Sequence, residues 1–309
     1  VTPDRRDPAL GIHLGVVALL AVLQFLLPPF HHGMMARIMV LAAYATGYNL
    51  LLGYTGLMSL GHAMFFAAGM YGTGLTIQHL GLGVAAAFVA GVAAGLVVAG
   101  VVGLITLRTT GPAFLIVTMM LAQAFYLAML YFNEITMGDQ GFVLAGLPFA
   151  DPTVKYNVAL VVFAACLLGS LWLVRSPIGR VLVALRENEE RTRLLGYNTA
   201  LYRLVSVVMS GLMSAVAGAA YTLLFSYVGA TFAGILYSIY PLLWTLLGGA
   251  GTTLGPLVGT LLMTYLVDVA SGLTTGYLMV VGAVLVLTVL WAPAGLVGGL
   301  RARWARWLP

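Results

Sequence analysis

Charge is what this chain has least of. Its 309 residues include 14 lysines and arginines and 9 aspartates and glutamates, only 7% in all, whereas a soluble globular domain carries about a quarter. A soluble fold is therefore excluded. With 61% hydrophobic residues and a mean hydropathy of +1.04, the chain reads as a polytopic membrane protein. Cysteine is almost missing: Cys166 stands alone inside an apolar run, which rules out a disulfide framework and a cysteine metal cluster. Lysine is equally rare. Lys155, the only one, is followed by Tyr156, so the Gly-Lys-Ser/Thr ending of a phosphate-cradling loop is lacking and ATP cannot be held by that route. No His-x-x-x-His pair, Gly-x-Ser-x-Gly elbow or clustered carboxylates suggest chemistry or a metal, so the chain does not read as an enzyme. The net charge of +5 reports the arginine bias of cytoplasmic loops rather than a nucleic-acid surface. The 38 glycines show no three-residue period, which excludes collagen and suits helices that approach closely in lipid.

A bilayer core takes about 20 apolar residues per helix, and ten runs meet or approach that length: 9–28, 34–53, 57–79, 83–106, 112–132, 157–174, 204–228, 231–249, 254–271 and 274–292. The expected class is all-α, a single transmembrane domain over 1–309 with one long charged loop at 175–203. Arg5 and Arg6 before the first run imitate a signal peptide, but the run is long and lacks a small-x-small cleavage site, so a retained first span is expected. With Arg5 and Arg6 inside, ten crossings put Arg108, the 175–203 loop and the tail with Arg301, Arg303 and Arg306 inside as well. Twelve of the fourteen basic residues obey the positive-inside rule; Arg37 and Lys155 do not. Run 231–249 contains Ser238, Tyr240, Pro241 and Gly248-Gly249, which also suits a re-entrant half-helix, and two such segments would leave eight spans. Asp268, the one carboxylate in a late apolar run, is expected near a span end or facing a partner.

The 175–203 loop concentrates six arginines and three glutamates. It reads as one helix over 179–195, started by Ser176-Pro177, stopped by Gly196 and laced by the i,i+4 pairs Glu187 with Arg191 and Glu189 with Arg193. Two readings stand: a solvated loop that anchors topology, or a docking element. Elsewhere, Leu51-Leu52-Gly53-Tyr54-Thr55-Gly56 is echoed by Leu246-Leu247-Gly248-Gly249-Ala250-Gly251. Interrupted helices from internal repeats line many transport paths, although a chance match in so Gly- and Leu-rich a chain is the other reading. His62 is either functional or a neutral imidazole bonded to a neighbouring carbonyl that packs a broken helix. Asn49, Ser59, Thr118 and Gln123 divide in the same way, between a substrate path and plain helix–helix hydrogen bonds. Asp139 and Gln140 are external, for contact with a delivery protein or for capping a short helix.

Glu190-Arg191-Thr192-Arg193-Leu194-Leu195-Gly196 resembles the EAA loop of ABC-importer permeases. Further motifs are similar to the branched-chain amino-acid importer permeases of the LivH and LivM type. They are Gly47-Tyr48-Asn49 through Gly56 with Ser59-Leu60-Gly61-His62-Ala63, Met137-Gly138-Asp139-Gln140-Gly141, Ser176-Pro177-Ile178-Gly179-Arg180, Gly248-Gly249-Ala250-Gly251-Thr252 and Pro293-Ala294-Gly295-Leu296. The Asp-Gln form of the external motif looks more like the LivM subunit; Met137 departs from the threonine or glycine that the pattern has nearby. The resemblance implies an inner-membrane permease subunit with a LivH-type second permease, two cytoplasmic ATPases and a periplasmic or lipid-anchored binding protein. It implies ATP and magnesium on the ATPases and no cofactor on this chain. ATPase coupling would involve Arg186, Glu187, Glu190, Arg191, Arg193 and Gly196. Asn49, Ser59, His62, Thr118 and Gln123 would line the path, and Asp139 and Gln140 would meet the binding protein. Branched-chain amino acids are the expected cargo, with urea, short amides or aromatic acids as alternatives. A motor-independent secondary transporter is the competing class; it expects membrane-embedded carboxylates, and Asp268 is the one serious candidate.

Overall fold

Apolar runs without water to bond their backbones must form helices, and in the structure, a computed structural model describing residues 8–304, they do. Arg5, Arg6 and Arg306 lie outside the described residues. In chain order the helices are α1 (Pro8–Leu26), α2 (Pro29–Asn49), α3 (His62–Leu80), α4 (Val84–Thr106), α5 (Gly111–Tyr131), α6 (Asn133–Thr136), α7 (Pro152–Arg175), α8 (Pro177–Glu187), α9 (Glu189–Leu194), α10 (Thr199–Phe225), α11 (Ile235–Gly248), α12 (Gly255–Leu273), α13 (Tyr277–Trp291) and α14 (Leu296–Trp304). Among the described residues, seven of these are long and apolar enough to cross a membrane: α1, α2, α4, α5, α7, α10 and α12. The protein is all-α and polytopic, and it resides in the inner membrane.

The remaining three of the ten expected runs differ from simple spans. Run 57–79 becomes helical only at His62, since residues 56–61 are non-helical, with Leu57, Ser59 and Gly61 buried. Run 231–249 divides into a short 3₁₀ turn, Ala230–Ala233, and the 14-residue α11. At about 1.5 Å per residue α11 reaches about 21 Å, short of a bilayer core of about 30 Å. α13 has 15 residues. Beyond α13 the tail turns back as α14.

Small residues set the packing. Ala87, Gly91, Gly95, Ala99 and Gly103 recur at four-residue spacing on the buried side of α4, the face that meets α3 and α10. A Cβ on Gly95 would collide with the Ala215 side chain of α10, so the helices touch through their backbones. α2 is enclosed by α7, α10, α11 and α12, and most of its side chains belong to the main core.

Contacts sort the chain into two ends. At one, Arg203 donates to the Thr109 carbonyl (3.1 Å) and pairs with Glu189 (2.7 Å), and His13 Nε2 meets Thr253 Oγ1 at 2.5 Å. At the other, Tyr156 donates to the Leu20 carbonyl (2.6 Å) and the two-residue strands β1 (Phe142–Val143) and β2 (Tyr227–Val228) pair antiparallel, Phe142 opposite Val228. The first end gathers the arginine-rich segments and is cytoplasmic by the positive-inside bias. Asp268 lies exposed, near the outer end of α12, as expected of a carboxylate in this chain.

Two substitutions in α4 test the packing. Gly95→Val should destabilise the protein by about 1–3 kcal/mol through overpacking. Gly100→Ala, where a Cβ would meet nothing within 4 Å, should be neutral or slightly stabilising; thermal unfolding in detergent separates the two.

Candidate functional site

The two echoed glycine segments meet at the cytoplasmic end. α2 ends in a π-helical turn, Leu50–Tyr54, which carries the first segment beyond the last α-helical residue, Asn49. The Asn49 side chain, 1% exposed, then bridges to the second segment: its Nδ2 donates to the Thr252 carbonyl (2.9 Å) and its Oδ1 accepts the Gly251 amide (2.9 Å). Gly53 must be glycine here, since a Cβ would collide with the Gly251 backbone. Each segment is also held by one arginine from a cytoplasmic helix. Arg186 of α8 donates to the Gly53 carbonyl, and Arg301 of α14 donates to the Gly251 carbonyl at 2.9 Å. The two echoed segments are thus in contact, and each is bound through one carbonyl to a guanidinium, at non-equivalent positions: Gly53 is third in its segment and Gly251 sixth.

Beyond the π turn and Thr55, residues 56–61 run non-helically back among the helices. Thr55 Oγ1 lies 2.8 Å from Ser206 Oγ, the Tyr48 hydroxyl donates to the Ser59 carbonyl (2.9 Å), and Ser59 Oγ accepts the Gly61 amide (3.1 Å). α3 then starts deep in the bundle, opposite the middle of α10, and its Ala63 amide donates to Ser238 Oγ of α11 (2.9 Å). His62 Nε2 is 2.6 Å from Ser210 Oγ, which itself donates to the Gly47 carbonyl at 2.5 Å. A hydroxyl has one proton, so the serine accepts from His62, fixing Nε2–H; the buried Nδ1 has no hydrogen-bond partner. The ring also packs edge-on against Tyr48 and Phe65. His62 therefore ties α3 to α10 and α2, reaching a carbonyl through a serine rather than directly.

Asn49, Ser59, His62 and Thr118 gather around this interrupted region, Thr118 where α5 passes Gly61. All four are buried, so in this conformation they line no open channel. Gln123 stands apart. It is exposed, off the buried stripe Phe114, Thr118 and Ala122 of α5, because a step of five residues from 118 leaves the four-residue row of that face.

The charged loop is not one helix. Ser176 caps α8 as expected, accepting the Gly179 amide (3.2 Å) with Pro177 in the first turn. Asn188 then takes an extended conformation and caps α9 by accepting the Arg191 amide (2.8 Å). Asparagine favours such caps over helix interiors, so the expected helix over 179–195 divides and Glu187 is parted from Arg191, while the expected pair Glu189 with Arg193, both within α9, gives way to other partners. Arg193 meets Glu190 instead at 3.7 Å, and Glu189 meets Arg203. Gly196, at φ +90°, ends α9. Val181, Leu182 and Leu185 are buried beneath α8, while Glu187, Glu190, Arg191 and Arg193 are exposed. Leu194 and Leu195 are 83% and 71% exposed, with Tyr197 beside them also open. These three are an apolar knob on the aqueous side that charge-centred reading passes over; two leucines directly after a charged helix are its signal.

At the outer end Asp139 and Gln140 are exposed in the turn before β1, where the Gln140 carbonyl accepts the Tyr227 hydroxyl (3.3 Å). Met137, the departure from the motif, has φ 57°, a left-handed conformation that glycine adopts freely. Among the described residues, no three His, Cys, Asp or Glu side chains gather as metal ligands do.

Known permease proteins share sequence with this chain over most of its length. The LivM permease protein of the high-affinity branched-chain amino acid transport system of Salmonella typhimurium is 26% identical over 291 residues, covering 84% of this chain and 68% of its own. Its Escherichia coli K12 counterpart is 27% identical over 289 residues with the same coverage. The ribose import permease protein RbsC of Escherichia coli K12 is 26% identical over 298 residues, covering 89% and 90%. No solved structure matches the chain significantly. The profile described as "Branched-chain amino acid transport system / permease component" matches residues 32–289, most of the helical bundle described above, and the chain belongs to that permease family.

Proposed function

We propose that the chain is a membrane-spanning subunit of an ATP-driven importer that moves branched-chain amino acids by alternating access. The observation that carries this reading is the continuous connection from the exposed cytoplasmic helices to the interrupted region. α9 with Leu194, Leu195 and Tyr197 offers a mixed charged and apolar surface to an ATPase. α8 is tied through Arg186 to Gly53, and Gly53 sits against Gly251 beside the Asn49 bridge. Movement of α8 by a closing ATPase pair would displace the first glycine loop and, through Asn49, the second. Arg186, Glu187, Glu190, Arg191, Arg193 and Gly196 form or support that contact. ATP and magnesium would reside on the ATPases, a LivH-type chain would complete the path, and a binding protein would dock over Asp139 and Gln140.

Cargo would pass beside the region of Asn49, Ser59, His62 and Thr118 once it opens. Buried backbone broken near mid-depth suits that task, since interrupted helices expose carbonyls and amides to a substrate. LivM relatives favour a branched-chain amino acid as cargo. A motor-independent transporter would need a carboxylate in the bundle interior, and Asp268 is exposed near a helix end.

Uptake of radiolabelled leucine by proteoliposomes holding the complete importer tests the reading, with ribose as the comparison cargo. Glu190→Ala should lower ATP-dependent leucine uptake about tenfold or more while leaving the chain folded; unchanged uptake, or purification of the chain without any ATPase, would sink the docking role.

Asn49→Leu addresses the linkage between the loops. It leaves the Thr252 carbonyl and Gly251 amide without their side-chain partner, and each unmet buried group costs about 1–3 kcal/mol. The complex should then hydrolyse ATP with leucine uptake reduced severalfold. Tight coupling in that variant would show that the Asn49 bridge transmits nothing.

A further inference from the structure

Arg37 and Lys155, the two basic residues that break the positive-inside pattern, are brought together by the fold. Arg37 lies eight residues past the start of α2, about 12 Å along the helix axis. It is exposed although its neighbours Ala36 and Ile38 are fully buried. Its Nη2 and Nε donate to the Tyr221 hydroxyl at 2.9 and 3.3 Å. Its guanidinium carbon lies 5.9 Å from the Tyr221 ring centre and 5.8 Å from that of Phe225. Lys155, in the first turn of α7, places Nζ 5.8 Å from the same Phe225 ring. Among the described residues neither cation has a carboxylate partner within ion-pair distance.

A cation kept within a membrane span is costly and marks function by default. Both lie 5.8 Å from the Phe225 ring centre, and a bound anion would supply the opposite charge that each lacks. The single phenol that Arg37 holds leaves most of its five N–H donors free, and the guanidinium fork matches a carboxylate in bidentate fashion. Aromatic rings lead inward from this point. Tyr221 packs on Phe232 with centroids 5.2 Å apart and Phe232 on Tyr237 at 4.7 Å, beside Ser238 where α11 meets the start of α3.

We infer that Arg37 and Lys155, over the Tyr221 and Phe225 rings, form an outward-facing binding site for an anionic oxygen group, foremost the carboxylate of an amino acid. Its place at the entry of the cargo path rests on the transport reading above; anion binding by the chain does not. A lipid headgroup phosphate has the same chemistry and is the other source of the anion.

Saturation-transfer NMR on the full-length chain in phosphatidylcholine nanodiscs is the test, with isovalerate as probe and isovaleramide as its uncharged analogue. Isovalerate should receive transfer at least fivefold stronger than the amide. Arg37→Gln should lower the isovalerate signal at least fivefold, and Lys155→Gln, at a half-exposed first-turn position that folding tolerates, at least twofold. Equal transfer to acid and amide, or an undiminished signal in Lys155→Gln and in any folded Arg37→Gln protein, would overturn the site. Nanodiscs with added phosphatidylglycerol identify the source: displacement of isovalerate assigns the site to headgroup phosphate, and persistence assigns it to a free carboxylate. The assay contains no ATPase, so its failure leaves the importer reading standing, and failed leucine uptake leaves this site standing.

Discussion

Backbone that leaves the helix inside a membrane protein must find partners within the protein, because no water is there to supply them. Most of what is distinctive in this fold follows from that constraint. Residues 56–61 leave the helix inside the bundle; Tyr48 and the Ser59 side chain meet them, and Ser206 holds Thr55 where they begin. The turn at 249–254 is met by Asn49 and Arg301, and by Thr252 Oγ1 donating to the Gly249 carbonyl. Each interruption is stabilised in part by residues from the other half of the chain. Neither loop can change shape without disturbing the other.

That mutual dependence is what the proposed coupling through the charged cytoplasmic segment would act on. A loop that only fixed topology would need arginines and nothing else. Here α8 is amphipathic and seated on the bundle through Val181, Leu182 and Leu185, and its Arg186, though exposed, reaches the Gly53 carbonyl at the glycine contact. Asn188 separates this anchored half from α9, whose charged and apolar side chains face outward. In the proposed importer this division would place a gripping surface and a transmitting arm on adjacent helices, joined by one extended residue.

Composition and run length alone make the helical class, the membrane setting and most of the spans legible, because long apolar runs have one stable answer in lipid. The failures have equally physical causes. Run 57–79 is apolar nearly throughout, yet its residues before His62 gain more from side-chain and backbone partners than from helical bonds. Hydropathy carries no trace of those partners. A helix over 179–195 follows from good i,i+4 charge pairs worth a few tenths of a kcal/mol each, and a single asparagine able to cap outweighs them. Gln123 shares a face with Thr118 only while helix phase is ignored.

Arg301 and Arg37 show what sequence order hides. As a string the tail arginines are topology markers, but α14 folds back so that Arg301 binds the Gly251 carbonyl, as Arg186 binds that of Gly53. The likeness of 51–56 to 246–251 is ambiguous in sequence, since glycine and leucine are common in this chain. The fold brings the two segments into contact, although the glycines that meet the guanidiniums stand at different positions within them. Arg37 and Lys155 are separate exceptions to a charge rule, 118 positions apart, and converge on one phenylalanine ring. An exception to positive-inside bias is weak evidence when single, because one charge barely weighs on orientation. Two exceptions sharing one ring, with no acidic partner among the described residues, describe a place where negative charge belongs.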